Sequence, residues 1–77
     1  MTVYDLVKGR TYEVVREIRD FYGGVFPVGQ RLVFTEYHFL PYHGGYTIVF
    51  GPVSMYLQEE ANADILDQID EYLRERT

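Results

Sequence analysis

Two histidines, His38 and His43, carry the most versatile side-chain chemistry of this chain, and Glu36 stands near them in the sequence. Imidazole nitrogens ligate transition metals and exchange protons near neutral pH. A zinc site would need further ligands from elsewhere in the fold and other groups to orient the two rings. Loop histidines that are merely solvated are commoner than loop histidines that bind a metal. We therefore keep a small-ligand or metal-dependent role centred on His38 and His43 as the alternative hypothesis.

Nucleophilic side chains are scarce. The chain has no cysteine, and its single serine, Ser54, lies inside a predicted strand with no base next to it. His43 together with Glu36 or Asp20 has the residue types of an acid–base pair. However, a chain of 77 residues has little room for both a core and a pocket of the usual ~300–1,000 Å³. We therefore expect no enzymatic activity, no bound metal and no cofactor.

Aromatic side chains are abundant, since eight Tyr and five Phe make up 17% of the residues. Rings bury a large area at little entropic cost. A chain this short hides only about 60–65% of its unfolded surface, so some rings should stay exposed. We expect Tyr22, Tyr37, Tyr42 and Tyr56 among them.

The segment from His38 to Gly45, HFLPYHGG, contains more chemistry than a strand connection requires, because a hairpin needs only a short turn with glycine. Tyrosine is favoured at recognition surfaces, since it offers rigid area with a polar tip. We therefore predict a non-catalytic module that binds a protein or peptide partner. The predicted binding residues are Tyr37, His38, Tyr42, His43 and Tyr46. In the alternative interpretation, the rings flank the core and end in water.

The charge of the chain argues against several partners. The formal net charge is −5 and no basic run occurs, so we expect no nucleic-acid binding. No apolar stretch approaches the ~20 residues that span a bilayer, and the segment MTVYDLVKGR lacks the apolar centre of a signal peptide. We expect a cytoplasmic protein without membrane contact. Self-association through a strand edge or a helix face is a further hypothesis.

Residues 11–22 fit two patterns. Tyr12, Val14 and Ile18 alternate with outward residues, as in a half-buried strand. The apolar residues from Val14 to Tyr22 also follow the spacing of a helix stripe. The β-branched and aromatic residues favour the strand.

The middle of the chain predicts short strands separated by turns. Arg31 to Tyr37 and Val53 to Gln58 alternate between inward apolar and outward residues. Tyr46 to Phe50 is rich in aromatic and β-branched residues, which favour a strand. Pro27 to Gln30 and Gly51-Pro52 have the composition of tight turns. We therefore predict a mainly β (α+β) fold, a small SH3-like, partly open barrel of about five strands over residues 10–60. The whole chain, 1–77, is expected to form one domain.

An amphipathic helix is predicted for residues 62–75. Asn62 has the side chain of an N-cap residue, and apolar residues recur on one face from Ile65 to Leu73. Because that face needs a surface to cover, we expect the helix to pack across one end or side of the barrel. The predicted core consists of Val14, Ile18, Phe26, Leu32, Phe34, Ile48, Phe50, Met55, Leu57, Ile65, Ile69 and Leu73.

Three motifs resemble a small bacterial domain family of unknown function. They are Gly9-Arg10-Thr11-Tyr12-Glu13-Val14, the Pro27-Val28-Gly29 turn, and Phe39-Leu40-Pro41-Tyr42 followed by Gly45 and Phe50. The resemblance covers Leu6 to Leu73 and implies a fold similar to small SH3-like barrels. The chain departs from the family pattern at Arg10, where Lys is expected, and at Gln30, where Glu is expected. The family carries no known activity, so the resemblance assigns no residue a role.

Overall fold

Apolar side chains alternate between core and surface along the strands of the computed structural model, which describes residues 2–76. Within that range the chain forms a 3-10 turn, eight short strands and two short α-helices. In chain order these are the 3-10 turn Val3–Asp5, β1 Thr11–Val14, β2 Ile18–Arg19, β3 Val25–Phe26, β4 Arg31–Val33, β5 Glu36–Leu40, β6 Gly45–Phe50, β7 Val53–Gln58, α1 Ala63–Asp67, α2 Ile69–Tyr72 and β8 Leu73–Arg76. The prediction of a small, mainly β fold is confirmed.

The strands form three antiparallel sheets. β1 lies between β4 and β8 in the first sheet, β2 pairs with β3 in the second, and β6 lies between β5 and β7 in the third. Phe34 and Thr35 connect β4 to β5, and their N–H groups donate to the carbonyls of Arg10 and Val49. The chain thus bends from the first sheet into the third without losing backbone pairing. Such bends explain why the described residues form eight short strands where the sequence predicts about five.

Within residues 11–22, Thr11–Val14 and Ile18–Arg19 are strands, which confirms the strand prediction for these two stretches, whereas residues 15–17 and 20–22 are neither strand nor helix. Thr11–Val14 pairs with β4 on one side and with β8 on the other, and Ile18–Arg19 begins the hairpin with β3. The chain bends between the two strands, where the Val15 N–H donates to the Tyr72 carbonyl. The helical alternative is therefore wrong for this segment.

The prediction of one helix over residues 62–75 is wrong in its second half. The helical segment is interrupted at Gln68, whose φ of −138° and ψ of 52° lie outside the helical range, and it ends at Tyr72. Leu73–Arg76 is a strand that pairs with β1. Pairing wins because an uncovered edge of β1 would leave backbone groups without partners, and a short helix gains little from continuing.

The start of the helical segment also differs from the prediction. Asn62 precedes α1, but its side chain does not cap the helix. Its Oδ1 atom accepts a hydrogen bond from the Gln58 N–H instead, which fastens the end of β7 to the helical segment. Among the described residues, no helix is long and apolar enough to cross a membrane.

One hydrophobic core contains side chains from all three sheets and from both helices. Every core residue predicted from the sequence is buried in it. The structure adds four residues that the prediction omits, namely Val3, Leu6, Tyr12 and Tyr72. The Tyr12 hydroxyl accepts a hydrogen bond of 2.9 Å from the Val7 N–H. The N-terminal segment is thereby fastened to the first sheet.

Candidate functional site

The register of the third sheet divides its side chains between two faces. Directly paired residues on adjacent strands share a face, and successive residues along one strand alternate between faces. The inner face, which covers the core, carries Tyr37, Phe39, Tyr46, Ile48, Phe50, Val53, Met55 and Leu57. The outer face carries Glu36, His38, Leu40, Gly45, Thr47, Val49, Ser54, Tyr56 and Gln58.

A groove of about 150 Å³ lies on the outer face, between the tip of the β2–β3 hairpin and the turn that joins β5 to β6. We call it the outer groove. Three parts of the chain supply most of its side chains. They are Phe21 and Tyr22 from the hairpin tip, Leu40 and His43 from β5 and the turn, and Tyr56 and Gln58 from β7, with Gly45, Tyr46 and Leu57 beside them.

Aromatic rings in edge-to-face contact form one wall of the outer groove. The centroid of Tyr22 lies 5.0 Å from that of Tyr56 and 5.2 Å from that of Phe21. The Phe21 N–H also donates to the Tyr56 carbonyl, at 2.7 Å. Tyr22 is 69% exposed and Phe21 is 47% exposed. The rings of Phe21 and Tyr22 therefore present apolar area to solvent, while the hydrogen bond to Tyr56 holds their backbone in place.

The buried carboxylate of Asp20 fixes the hairpin tip against β7. Its Oδ1 atom accepts hydrogen bonds from the N–H groups of Tyr22 (3.0 Å) and Gly24 (2.7 Å), and its Oδ2 atom accepts one from the Tyr56 N–H (3.2 Å). Hydrogen bonds to a charged acceptor are roughly twice as strong as neutral ones. The carboxylate that the sequence offers as an acid–base partner for His43 is thus engaged by backbone amides.

Two glycines beside the outer groove meet different needs. Gly44 adopts a φ of +60° in the turn between β5 and β6, a conformation that glycine reaches without steric cost. Gly45 is required by space, because a Cβ atom there would lie 2.8 Å from the Leu57 carbonyl oxygen. The first glycine permits the turn, and the second permits the close approach of β6 to β7.

A second aromatic group, the inner tyrosine cluster, consists of Tyr4, Tyr37, Phe39 and Tyr46. Tyr4, from the 3-10 turn, lies edge-on to Tyr37 at 5.4 Å and to Tyr46 at 6.0 Å, and Phe39 lies 5.1 Å from Tyr46. The hydroxyl oxygens of Tyr4 and Tyr46 are 2.6 Å apart. This hydrogen bond, followed by burial, raises the pKa of Tyr46 to about 12.

The five binding residues predicted from the sequence lie in different environments. The inner tyrosine cluster contains Tyr37 and Tyr46, of which Tyr46 also borders the outer groove. His43 lines the outer groove, and Tyr42 projects from the turn beside it with 98% of its surface exposed. His38 lies on the outer face, with its Nε2 atom 3.5 Å from a carboxylate oxygen of Glu36. The structure therefore does not bring the five together in one site.

Sequence reasoning missed the hairpin tip as part of a site. Asp20 is followed by two aromatic residues and then by Gly23-Gly24. An aspartate whose side chain binds the amide two residues later is a common turn signal, and Asp20 makes that bond with Tyr22. The signal was therefore present, although the contact with Tyr56 across 36 positions has no local signature.

The two histidines do not share a ligand set. His43 borders the outer groove, whereas His38 is paired with Glu36 outside it. Within residues 2–76, no group of three or more His, Asp or Glu side chains is close enough together to hold a metal ion. A metal-dependent role for the histidines stays a prediction.

Comparison with known proteins bears on the fold. No family model matches the chain, and no curated protein matches it significantly. Among solved structures, the chain is similar to an integron cassette protein from the mobile metagenome of Vibrio cholerae, with a TM-score of 0.87 and 25% sequence identity over 92% of this chain and 88% of that chain. That protein's name states no activity, so the similarity supports the fold. The resemblance to the domain family with the Phe-Leu-Pro-Tyr loop stays a prediction.

Proposed function

We propose that this domain is a non-catalytic binding module that recognises an extended segment of a protein or peptide in the outer groove. The observation that most supports this is the exposed pair Phe21 and Tyr22, held against Tyr56 by the buried Asp20 carboxylate. Turn residues are usually small or polar. A tip that carries two large exposed rings is costly to hydrate and suits recognition, because aromatic anchors dominate binding energy at interfaces.

The size and lining of the outer groove suit a peptide side chain better than a metabolite. Its volume of about 150 Å³ is below the ~300–1,000 Å³ typical of small-molecule sites. The rings and Leu40 offer apolar area for an aliphatic or proline side chain. His43 and Gln58, which also line the groove, have donors and acceptors for the amides of a bound peptide.

The strand order supports the finer interpretation of the fold as an SH3-like, partly open barrel, which is part of this proposal. The first sheet, in the order β8–β1–β4, continues through the bend at Phe34 and Thr35 into the third sheet, in the order β5–β6–β7. The β2–β3 hairpin is inserted between β1 and β4, and the helices precede β8. In SH3-like barrels, an aromatic-lined groove takes proline-rich or other extended peptides.

A peptide-display selection tests the proposed function. Random peptides would be selected on the wild-type domain alone, and the affinity of the selected peptides would then be measured for a Tyr22→Ala variant. Val28→Ala is the control, since Val28 is 63% exposed against 69% for Tyr22 and does not line the outer groove. We expect the selected peptides to bind wild type and Val28→Ala equally. Tyr22→Ala should weaken binding about tenfold or more, because an aromatic anchor contributes about 2 kcal/mol.

The same peptides separate this function from the role centred on the histidines. Peptide binding should survive a chelator and should shift the NMR resonances of Leu40, His43 and Tyr56. Loss of binding in chelator, with equal dependence on His38 and His43, would support the metal-dependent alternative. Peptides that bind Tyr22→Ala as tightly as wild type would show that the outer groove is not the site.

A further inference from the structure

A second cavity of about 400 Å³ lies between the N-terminal segment, the inner-face residue Tyr46 and α1. We call it the N-terminal pocket. It lies on the other face of the third sheet from the outer groove, and the proposed function does not use it. Its principal side chains are Val3, Tyr4, Tyr46, Glu59, Leu66 and Asp67.

Two carboxylates border the N-terminal pocket without a basic partner. Among residues 2–76, Glu59 and Asp67 take part in no side-chain hydrogen bond and no ion pair, whereas the arginines Arg10, Arg16, Arg31 and Arg76 pair with glutamates elsewhere. The chain also has a formal net charge of −5. Both the local and the overall charge therefore favour a cation in this pocket.

Aromatic and aliphatic surface completes the N-terminal pocket. The hydroxyls of Tyr4 and Tyr46 are bonded to each other, so their ring orientations are set and Tyr4 keeps 62% of its surface exposed. Aromatic ring faces attract organic cations. The half-buried Leu66 supplies apolar area, which a hydrated metal ion would not use but an alkyl stem would cover.

From this juxtaposition of rings, carboxylates and aliphatic side chains, we propose that the N-terminal pocket binds an alkylammonium group. Its source is either a lysine side chain or a free primary amine. The ammonium lies over the rings of Tyr4 and Tyr46 and between the carboxylates of Glu59 and Asp67. The alkyl stem packs along Leu66.

An NMR titration of the isotope-labelled domain tests the proposal. The probe is N-acetyl-lysine methylamide, and the matched probe without charge is N-acetyl-norleucine methylamide. We expect saturable shifts at Tyr4, Tyr46 and Leu66 with the lysine derivative, with a Kd on the order of millimolar for so small a ligand, and none with the norleucine derivative. Butylammonium is the second arm. Equal affinity identifies a free amine as sufficient, and tighter binding of the lysine derivative identifies a lysine carried by a peptide.

Variants decide whether the named groups hold the ammonium. Glu59→Gln and Asp67→Asn should each weaken binding about threefold, and Tyr4→Leu about two- to fivefold. Glu17→Gln is the control, because it removes the same charge at an exposed position outside the pocket.

Equal affinity for N-acetyl-lysine methylamide and N-acetyl-norleucine methylamide would overturn the proposal. An equal loss of affinity for the lysine derivative in Glu17→Gln and Glu59→Gln would also overturn it. Tyr22→Ala should leave ammonium binding unchanged. The two proposals therefore fail separately, since the outer groove depends on Tyr22 and the N-terminal pocket depends on Tyr4.

Discussion

The outer groove and the inner tyrosine cluster use the same residue types on opposite faces of one sheet, yet they are held in place differently. In the outer groove, the buried Asp20 carboxylate accepts hydrogen bonds from three backbone N–H groups. The rings of Tyr22 and Tyr56 are thus positioned through their own main chain. In the inner tyrosine cluster, the hydroxyls of Tyr4 and Tyr46 bind each other, and both groups are neutral.

This difference decides what each region offers to a ligand. Where the backbone is anchored, the side chains keep their hydroxyls and ring surfaces free for a partner. Where the hydroxyls are used for anchoring, only ring faces and neighbouring carboxylates remain. The two regions should also differ in sensitivity, because losing a buried charged acceptor costs more than losing a neutral bond near solvent.

Asp20→Ala should have the largest effect on stability. It leaves the N–H groups of Tyr22, Gly24 and Tyr56 without their acceptor, and an unsatisfied buried donor costs about 1–3 kcal/mol. Because water can reach part of this tip, we expect a loss of about 3 kcal/mol in the free energy of unfolding, measured by urea denaturation. Asp20→Asn, which keeps one carbonyl acceptor, should lose about half as much. Equal stability of Asp20→Ala and wild type would show that the carboxylate does not hold the tip.

Gly45→Ala should destabilise the domain by about 2 kcal/mol, since the added Cβ overpacks a closely spaced strand pair. The added methyl carbon would lie 2.8 Å from the Leu57 carbonyl oxygen. Gly45 belongs to the outer face of the third sheet, which also carries the outer groove. Gly29→Ala is the matched control. That glycine has a φ of +95° but open space around it, so it should cost about 1 kcal/mol through strain alone. A larger loss of unfolding free energy in Gly29→Ala than in Gly45→Ala would contradict the conclusion that Gly45 permits the close approach of β6 to β7.

Much of the fold could be predicted because local pattern and tertiary packing agree. Alternation along Arg31–Val33 and Val53–Gln58 matches the buried positions found in β4 and β7. The pattern failed at Leu73–Arg76, where the charged residues after Leu73 fit an exposed helix face as well as an edge strand. The choice depends on β1, whose free edge this segment covers, and that information is absent from the segment itself.

The candidate site could be predicted only in part, because its defining contacts join distant positions. Tyr42 and His43 were found from composition, since they stand in one short segment. Asp20 meets Tyr56 across 36 positions, and Tyr4 meets Tyr46 across 42. A single sequence gives residue types at such positions but not their pairing.

Tyr4→Phe should return the pKa of Tyr46 from about 12 towards the ordinary value of about 10, because the mutation removes the hydrogen bond that raises it most. The raised pKa means that the folded state favours the protonated Tyr46. Its stabilising effect is therefore complete below pH ~10 and is lost as the pH rises through about 12. Phenolate absorbance against pH measures this shift. Tyr22→Phe removes a hydroxyl outside the inner tyrosine cluster and should leave the absorbance change near pH 12 as it is in wild type. A wild-type titration that is complete near pH ~10 would contradict the hydrogen bond between Tyr4 and Tyr46.

Tyr42→Ala should have the smallest effect on stability, within about 0.5 kcal/mol of wild type, because surface substitutions of this kind break no packing. The Tyr42 ring is 98% exposed, so any change in peptide affinity would report contact with the partner and not a change in the fold. We expect about a threefold loss in affinity, smaller than that of Tyr22→Ala, because a ring without neighbours gains less from being covered than one in a packed wall. A larger loss from Tyr42→Ala would move the binding surface from the outer groove to the turn between β5 and β6, where the sequence alone had placed it.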